Sequence, residues 1–359
     1  MRDPASINIH ELIDIGYHER ASDVFVKGGS PPMMRLHAKV QPLPGEWPVI
    51  DPYNAQRMIG GIMTEKQRRK FEDHMEMDLA FSVGETCRVR ANIHMQRGTW
   101  GIVCRIIPTD ILNIEQLGLP PVLQEFAKIR QGLVLFTGPT GSGKTTSLAA
   151  IIDVINCTRP VHIVTIEDPL EFVHRDKASY ITQREIGIDT EDFQPALRAV
   201  VREAPDVILI GEMRDVATFN VAMQAGETGH LVFSTVHTSS AYETMDRIVN
   251  MFPPHEKNHL CIRLASALRA IVAQKLVPRA DGLGRVAACE ILVVTPTVQK
   301  IIEDGHFSDL YHAINEGEFW GMQTMNQSLL RYVKAGVISE EIALNYAGIA
   351  SELKQMLRR

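Results

Sequence analysis

Residues 138–146 read Gly138-Pro139-Thr140-Gly141-Ser142-Gly143-Lys144-Thr145-Thr146, directly after the apolar run from Gly132 to Thr137 and ahead of a helix-forming stretch from Thr146 to Ile155. Strand, glycine-rich loop, Lys-Thr and helix in that order spell a Walker A phosphate loop. The glycines let successive backbone N–H groups turn inward where no side chain fits. Lys144 then reaches the terminal phosphates, Thr145 offers a hydroxyl to Mg²⁺, and the helix N-terminus adds its partial positive charge. The plainer reading, a glycine-rich turn between strand and helix, has to treat that order as coincidence. The stretch predicts a nucleoside triphosphate site.

Around the loop, apolar runs alternate with helical patterns, which signals a parallel sheet covered on both faces. The expected strands are Leu133–Thr137, His162–Glu167, Val207–Ile210, Leu231–Val236 and Val286–Val293. Each precedes a polar loop at its carboxyl end, where open α/β sheets bind ligands. Residues 1–108 read as a separate small α/β domain. It is expected to hold a helix over Ile7–Tyr17, a strand at Asp23–Val26 and helix over Asp51–Glu72. Strands over Asp78–Val83 and Arg88–Ile107 complete it, the latter a hairpin broken near Arg97-Gly98. Residues 109–130 read as a linker, with Pro120-Pro121 opening a short helix at Val122–Ile129. Residues 131–295 form the α/β domain, and residues 296–359 are a helical region of three short amphipathic stretches.

The whole chain is compatible with this organisation. Its 359 residues suffice for two domains, and 45% hydrophobic with 22% charged residues is ordinary for a globular protein. A net charge of −6 argues against a general nucleic-acid binder, so no nucleic-acid partner is expected. The cysteines Cys87, Cys104, Cys157, Cys261 and Cys289 are scattered and never spaced C-x-x-C, which suits reduced thiols and offers no zinc site. No apolar run approaches membrane-spanning length, so the expectation is a cytoplasmic protein with at most peripheral membrane contact.

Phosphoryl transfer asks a protein for positioning and charge compensation. The run Val207-Ile-Leu-Ile-Gly-Glu212 is an apolar strand ending in a carboxylate, a Walker B arrangement with Glu212 in place of the commoner Asp. It is a candidate Mg²⁺ ligand through water; the alternative is a strand that merely ends in a solvated Glu. Glu167, Asp168 and Glu171 crowd the end of another central strand, and one of them is a candidate general base. His230 and His237 bracket the strand Leu231–Val236, about 23 Å apart at ~3.3 Å per residue, so they serve different sites. Chain direction puts His237 at the ligand edge as a γ-phosphate sensor and leaves His230 structural or interfacial. His255-Glu256-Lys257-Asn258-His259 spells a zinc-protease helix, but it follows Pro253-Pro254 and has no evident third ligand. Arg88, Arg90, Arg97 and Arg105 punctuate the N-terminal hairpin. They are either a solvated basic face or fingers that dock onto the nucleotide.

Taken together these motifs resemble the secretion and type IV pilus ATPases, specifically the PilT/PilU retraction branch. The markers include Ala21-Ser-Asp-Val, Arg88-Val-Arg, the phosphate loop, Thr165-Ile-Glu-Asp-Pro-Leu-Glu171, Gly211-Glu-Met-Arg-Asp215, Glu227-Thr-Gly-His230 and Thr235-Val-His237. The resemblance covers essentially the whole chain. It implies a PAS-like N-terminal domain, a RecA-like ATPase domain, ATP and Mg²⁺ as ligands, and a homohexameric ring at the pilus base that meets an inner-membrane platform protein. By position, residues 138–146 with Glu167 bind nucleotide, and Thr145 and Glu212 hold the metal. Glu171 matches the catalytic glutamate better than Glu167 does, and His237 matches the histidine near the γ-phosphate. Arg90, Arg97 and Arg105 match arginines facing the nucleotide, with the loop before Arg97 one residue short.

One departure is informative. Thr297-Val-Gln-Lys-Ile-Ile302 replaces the Ala-Ile-Arg-Asn-Leu-Ile stretch of PilT-type motors. With Ala270–Pro278 and the tail from Ala343 to Leu357, it looks closer to the PilU branch, whose members act beside a PilT-type paralogous motor. Three other readings stay open: an accessory or structural ring subunit, a small-molecule kinase on the same loop, and an assembly-type secretion ATPase. The last is disfavoured because the chain lacks a long N-terminal region and a four-cysteine module.

Overall fold

The computed structural model describes residues 3–36, 39–84, 86–108 and 110–358. By internal contacts the chain divides into two units, one of residues 1–110 with 171–173, the other of residues 111–170 with 174–359.

The first unit opens on helix α1 (Ile9–His18), started by an Asn8 side chain that accepts from the Glu11 amide. Strands β1 (Asp23–Lys27), β2 (Met33–Leu36) and β3 (Lys39–Pro42) follow, then helices α2 (Pro52–Gly60) and α3 (Glu65–His74). Strands β4 (Glu76–Val83), β5 (Cys87–Gln96) and β6 (Thr99–Pro108) complete it. They build one antiparallel six-stranded sheet, ordered β3-β2-β1-β6-β5-β4. Alternation in β5 sends Cys87, Val89, Ala91 and Ile93 into a core shared with Leu12, Ile13, Met58, Ile59 and Phe71. Arg88, Arg90, Asn92 and His94 take the other face. The helix expected over Asp51–Glu72 is two helices, because a Thr64–Gln67 capping box restarts the chain as α3. The β2–β3 pair escapes the sequence pattern because β3 is mostly exposed and carries no apolar alternation.

The second unit begins with α4 (Val122–Phe126), β7 (Gly132–Thr137), α5 (Lys144–Thr158), β8 (His162–Glu167) and β9 (Tyr180–Glu185). Next come α6 (Phe193–Val200), β10 (Val207–Ile210), α7 (Val216–Glu227), β11 (Leu231–Val236), α8 (Ala241–Met251), α9 (Lys257–Ala267), β12 (Leu268–Pro278) and β13 (Arg285–Val293). The sheet order is β13-β12-β7-β11-β10-β8-β9, parallel throughout except for β13. Its two faces bury alternate residues of the same strands. Leu133 and Leu135 pack with Phe219, Met223, Ile248 and Leu264, whereas Val134 and Phe136 pack with Leu123, Phe126, Ile151 and Ile155. Each such side chain withdrawn from water contributes about 1.5–3 kcal/mol. The segment read as a linker therefore lends Leu123 and Phe126 to this core.

Strands β9 and β12 are additions to the sequence pattern. Strand β9 is a polar edge strand, and β12 starts at Leu268 directly after α9 ends at Ala267, so no turn signal separates helix from strand. Beyond β13 the described residues form five α-helices rather than three: α10 (Pro296–Glu303), α11 (Leu310–Glu316), α12 (Met325–Lys334), α13 (Glu340–Tyr346) and α14 (Ala350–Leu357). Among the described residues, no helix is long and apolar enough to cross a membrane.

Candidate functional site

Because β7, β8, β10 and β11 are parallel and in register, their carboxyl ends fall on one edge of the sheet. Val236 pairs with Thr137, Ser234 with Ile210, and Ile210 with Ile166. The loop from Gly138 to Gly143 leaves this edge and feeds α5, with Pro139, Thr140 and Gly141 exposed at its crest. Gly138 has φ 146° and Gly143 φ 87°, backbone states that side-chain-bearing residues rarely adopt. A Cβ on Gly138 would also lie 2.3 Å from the Gln274 carbonyl oxygen, so the loop closes only with glycine there. Lys144 is 7% exposed, and its ammonium donates to the carbonyls of Gly138 at 2.7 Å and Pro139 at 3.1 Å. This folds the cation back across the mouth of the loop. Thr145 and Thr146 are half-buried in the first turn of α5.

Glu212 follows the end of β10, where Thr235 Oγ1 donates to the Gly211 carbonyl at 2.7 Å and the Met213 amide donates to the Thr235 carbonyl. These bonds fix the chain on either side of the carboxylate. His237 Nε2 lies 3.1 Å from Glu212 Oε1, and Arg214 Nη2 lies 2.7 Å from Oε2. Burial pushes the Glu212 carboxyl up, but the Arg214 hydrogen bond and the His237 charge together hold it below its ordinary range. Glu212 is therefore ionised at neutral pH. Arg247 from α8 donates to the His237 carbonyl at 2.7 Å and steadies the loop behind the ring.

Glu167 ends β8, 6% exposed, in register with the equally buried Glu185 of β9. A cis Asp168–Pro169 bond follows. Glu171 is exposed and groups with the first unit, as do Arg90, Arg97 and Arg105. The second unit thus brings Lys144, Thr145, Glu167, Glu212 and His237 to one sheet edge. His230 sits at the opposite edge, where its Nδ1 approaches the Ala225 carbonyl at 3.0 Å.

In the first unit, Arg35, Asp23, Arg105 and Arg90 form one cross-strand row over four strands. Asp23, 4% exposed, pairs with Arg35 at 3.1 Å and Arg105 at 3.2 Å. A carboxylate between them relieves the repulsion of arginines placed side by side. Arg97 lies elsewhere. It and Gly98 make the two-residue turn between Gln96 and Thr99, both with positive φ, and seven strand residues put it about 23 Å from Arg90. The H-E-x-x-H letters are also dispersed: α9 starts at Lys257, so His255 lies ahead of the helix and does not share a face with His259.

Two polar residues of the site gave no motif. Gln274 on β12 is 2% exposed and bonds the exit of the phosphate loop to the first turn of α5: its Nε2 donates to the Ser142 carbonyl at 2.9 Å, and its Oε1 accepts from Ser147 Oγ at 2.9 Å. Glu290 on β13 is buried and accepts from the Ala241 amide at the start of α8. The available signal was a polar side chain inside an otherwise apolar strand. The hydroxyls of Thr137 and Ser142 are buried at the loop and find no hydrogen-bond partner among the described residues. Polar atoms so placed fit an anionic ligand with hydrogen-bonding oxygens.

Residues 9–291 match the family described as type II/IV secretion system protein. The chain is 42% identical to the type IV pilus retraction ATPase PilT of Pseudomonas aeruginosa, over 96% of this chain and 99% of that protein. It is 38% identical to the type IV pilus ATPase PilU of the same organism, over 98% of this chain and 92% of that one. A crystal structure of the pilus retraction motor PilT with bound ADP superposes with a TM-score of 0.89 at 40% identity, covering 98% of this chain and 100% of the other. With the phosphate loop, the Walker B strand and the two-sheet architecture in place, the chain belongs to the type II/IV secretion ATPase family, in its PilT/PilU pilus-retraction branch.

Proposed function

We propose that this protein is an ATP-hydrolysing motor that drives or assists type IV pilus retraction, and so twitching motility. The observation that carries the reading is the single sheet edge that holds both the glycine loop with Lys144 and the Glu212–His237 pair. In this reading the loop amides and Lys144 gather the phosphates of ATP, and His237 donates a hydrogen bond where charge builds on the γ-phosphoryl group. Glu171 takes the proton of the attacking water, with Glu167 the alternative base. The Thr145 hydroxyl and the Glu212 carboxylate are hard oxygen donors that would hold Mg²⁺, which would supply charge neutralisation at the phosphates. Arg90 and Arg105, paired across β5 and β6, are the arginines proposed to face the nucleotide; Arg97, at the hairpin turn about 23 Å from Arg90, is not grouped with them. Nucleotide turnover would then change the relation of N-terminal domain (1–108) to ATPase domain (131–295).

The reading extends to a homohexameric ring, cytoplasmic and peripheral at the inner membrane, that acts on a pilus platform protein. An accessory role beside a PilT-type motor is the second reading, favoured by the PilU-like stretch Thr297–Ile302. Steady-state ATPase assays on wild type and Lys144→Ala test the enzyme, with turnover expected to fall at least about 100-fold in the variant. Turnover equal in the two would overturn the assignment. Deletion and complementation then separates the roles. Surplus surface pili with lost twitching marks a primary retractor, and retained pilus dynamics an accessory one.

A further inference from the structure

The side chain of Gln274 is a tertiary anchor of the phosphate loop that no local motif announces. It reaches the loop from β12, which pairs with β7 so that Ala273 stands beside Thr137, the last residue before the loop. Its carboxamide is satisfied at both ends, by the Ser142 carbonyl and by Ser147 Oγ in the first turn of α5. The main chain around it is equally close. The Gln274 carbonyl oxygen is 2.3 Å from where a Gly138 Cβ would stand, and its Nε2 is 2.9 Å from that of Gly143. One residue therefore stands against the loop at its entry, Gly138, and at its exit, Ser142–Gly143.

The Ser142–Gly143 peptide carries the chemical consequence. A trans peptide is planar, so its C=O and the following N–H point in opposite directions. When Gln274 Nε2 holds the Ser142 oxygen toward β12, the Gly143 N–H is turned away from β12 and into the loop. An anion is bound by such N–H groups and repelled by a carbonyl oxygen in the same place. Without the glutamine donor this buried carbonyl would be unsatisfied, and rotation of the peptide plane would present it to the phosphates. Glu290, which pairs with Ala273 on β13, fixes the start of α8 in the same way through the Ala241 amide. The β12–β13 hairpin thus steadies the phosphate loop and the helix after His237 together.

We propose that Gln274 is a positioning residue for phosphate binding, which locks the Ser142–Gly143 peptide with its N–H toward the nucleotide. The inference rests on the ATPase reading above. Its test uses the full-length protein, with Gln274→Met, which keeps length and removes both bonds, and Gln274→Glu, which keeps shape and the Ser147 bond but replaces the donor to Ser142 with an acceptor. Affinities for Mg-ADP and for inorganic tripolyphosphate are measured by calorimetry, beside KM and kcat for ATP and the melting temperature. Both variants are expected to lose about tenfold or more in affinity for both ligands, with KM rising in proportion. A merely structural glutamine would lower the melting temperature and leave the affinity of the folded protein alone. Should Gln274→Met fail to fold, Gln274→Glu decides. Affinity within twofold of wild type in a folded variant overturns the proposal while the ATPase reading stands; a wild type that binds neither ligand overturns both.

Discussion

His237 Nε2 lies 3.1 Å from Glu212 Oε1, although the two residues are contributed by different strands of the sheet. Adjacent parallel strands β10 and β11 end side by side, and the pair forms just beyond their ends. Arg214 holds the second carboxylate oxygen, so Glu212 is orientated from both sides. The arrangement makes the histidine a partner of the acid proposed to hold the metal, as well as a candidate hydrogen-bond donor to the phosphate.

Replacing His237 by Ala removes one of the two side chains that hold the Glu212 carboxylate and frees it to rotate. Turnover is expected to drop by about 10²–10³-fold with Mg-ADP affinity changed far less, since the lost donor acts mainly in the transition state. Single-turnover kinetics beside calorimetry checks this. A loss of affinity with the single-turnover rate unchanged would assign His237 to ground-state binding.

Glu171→Ala is expected to lower kcat by about 10²–10⁴-fold and to leave ATP trapped on the protein. Glu167→Ala, made in parallel, serves as the contrast. Near-normal steady-state turnover in Glu171→Ala passes the role of base to Glu167, whose burial and fixed position at the end of β8 suit it to that task.

Acid stability reports on His174. Burial lowers its pKa from 6.5 to about 4, outweighing the nearby Asp153 carboxylate, and Nδ1 has no hydrogen-bond partner among the described residues. The folded state therefore keeps the ring neutral, whereas the unfolded chain takes up a proton as pH falls through 6.5. Stability contributed by the neutral ring is complete above pH 6.5 and is lost as the pH drops toward 4, by about 3 kcal/mol in all. His174→Gln should flatten the melting temperature between pH 6.5 and 5, a range above the carboxylate titrations. Equal slopes for the two proteins would place the acid sensitivity elsewhere.

Asp23→Asn breaks the charged row of the first unit. It removes the ion pairs to Arg35 and Arg105 and leaves a buried amide facing two guanidinium groups. The expected cost is about 2–3 kcal/mol, read as a lower urea midpoint of unfolding at unchanged m-value. A midpoint within error of wild type would show that the partly exposed arginines find water as good a partner.

Much of this architecture is written locally. Glycines at the loop, Lys144-Thr145 after them, and apolar runs of strand length fixed the phosphate site and five strands of its sheet, because phosphate cradles and buried strands need those residue types at those spacings. The Arg97-Gly98 turn was legible through its glycine, whereas the positive φ at Arg97 shows only in the structure. What the local pattern could not supply was proximity between distant segments. Gln274 bonds Ser142 and Ser147 across 132 and 127 positions of chain, and nothing around either end announces the other. Likewise the row Arg35–Asp23–Arg105–Arg90 exists only once register has aligned four strands, and that same register carries Arg97 away from it. Sequence determined which chemistry is present and on which kind of element; strand order and register decided which of those groups meet, because hydrogen-bonded pairing sums over the whole sheet and is encoded at no single position.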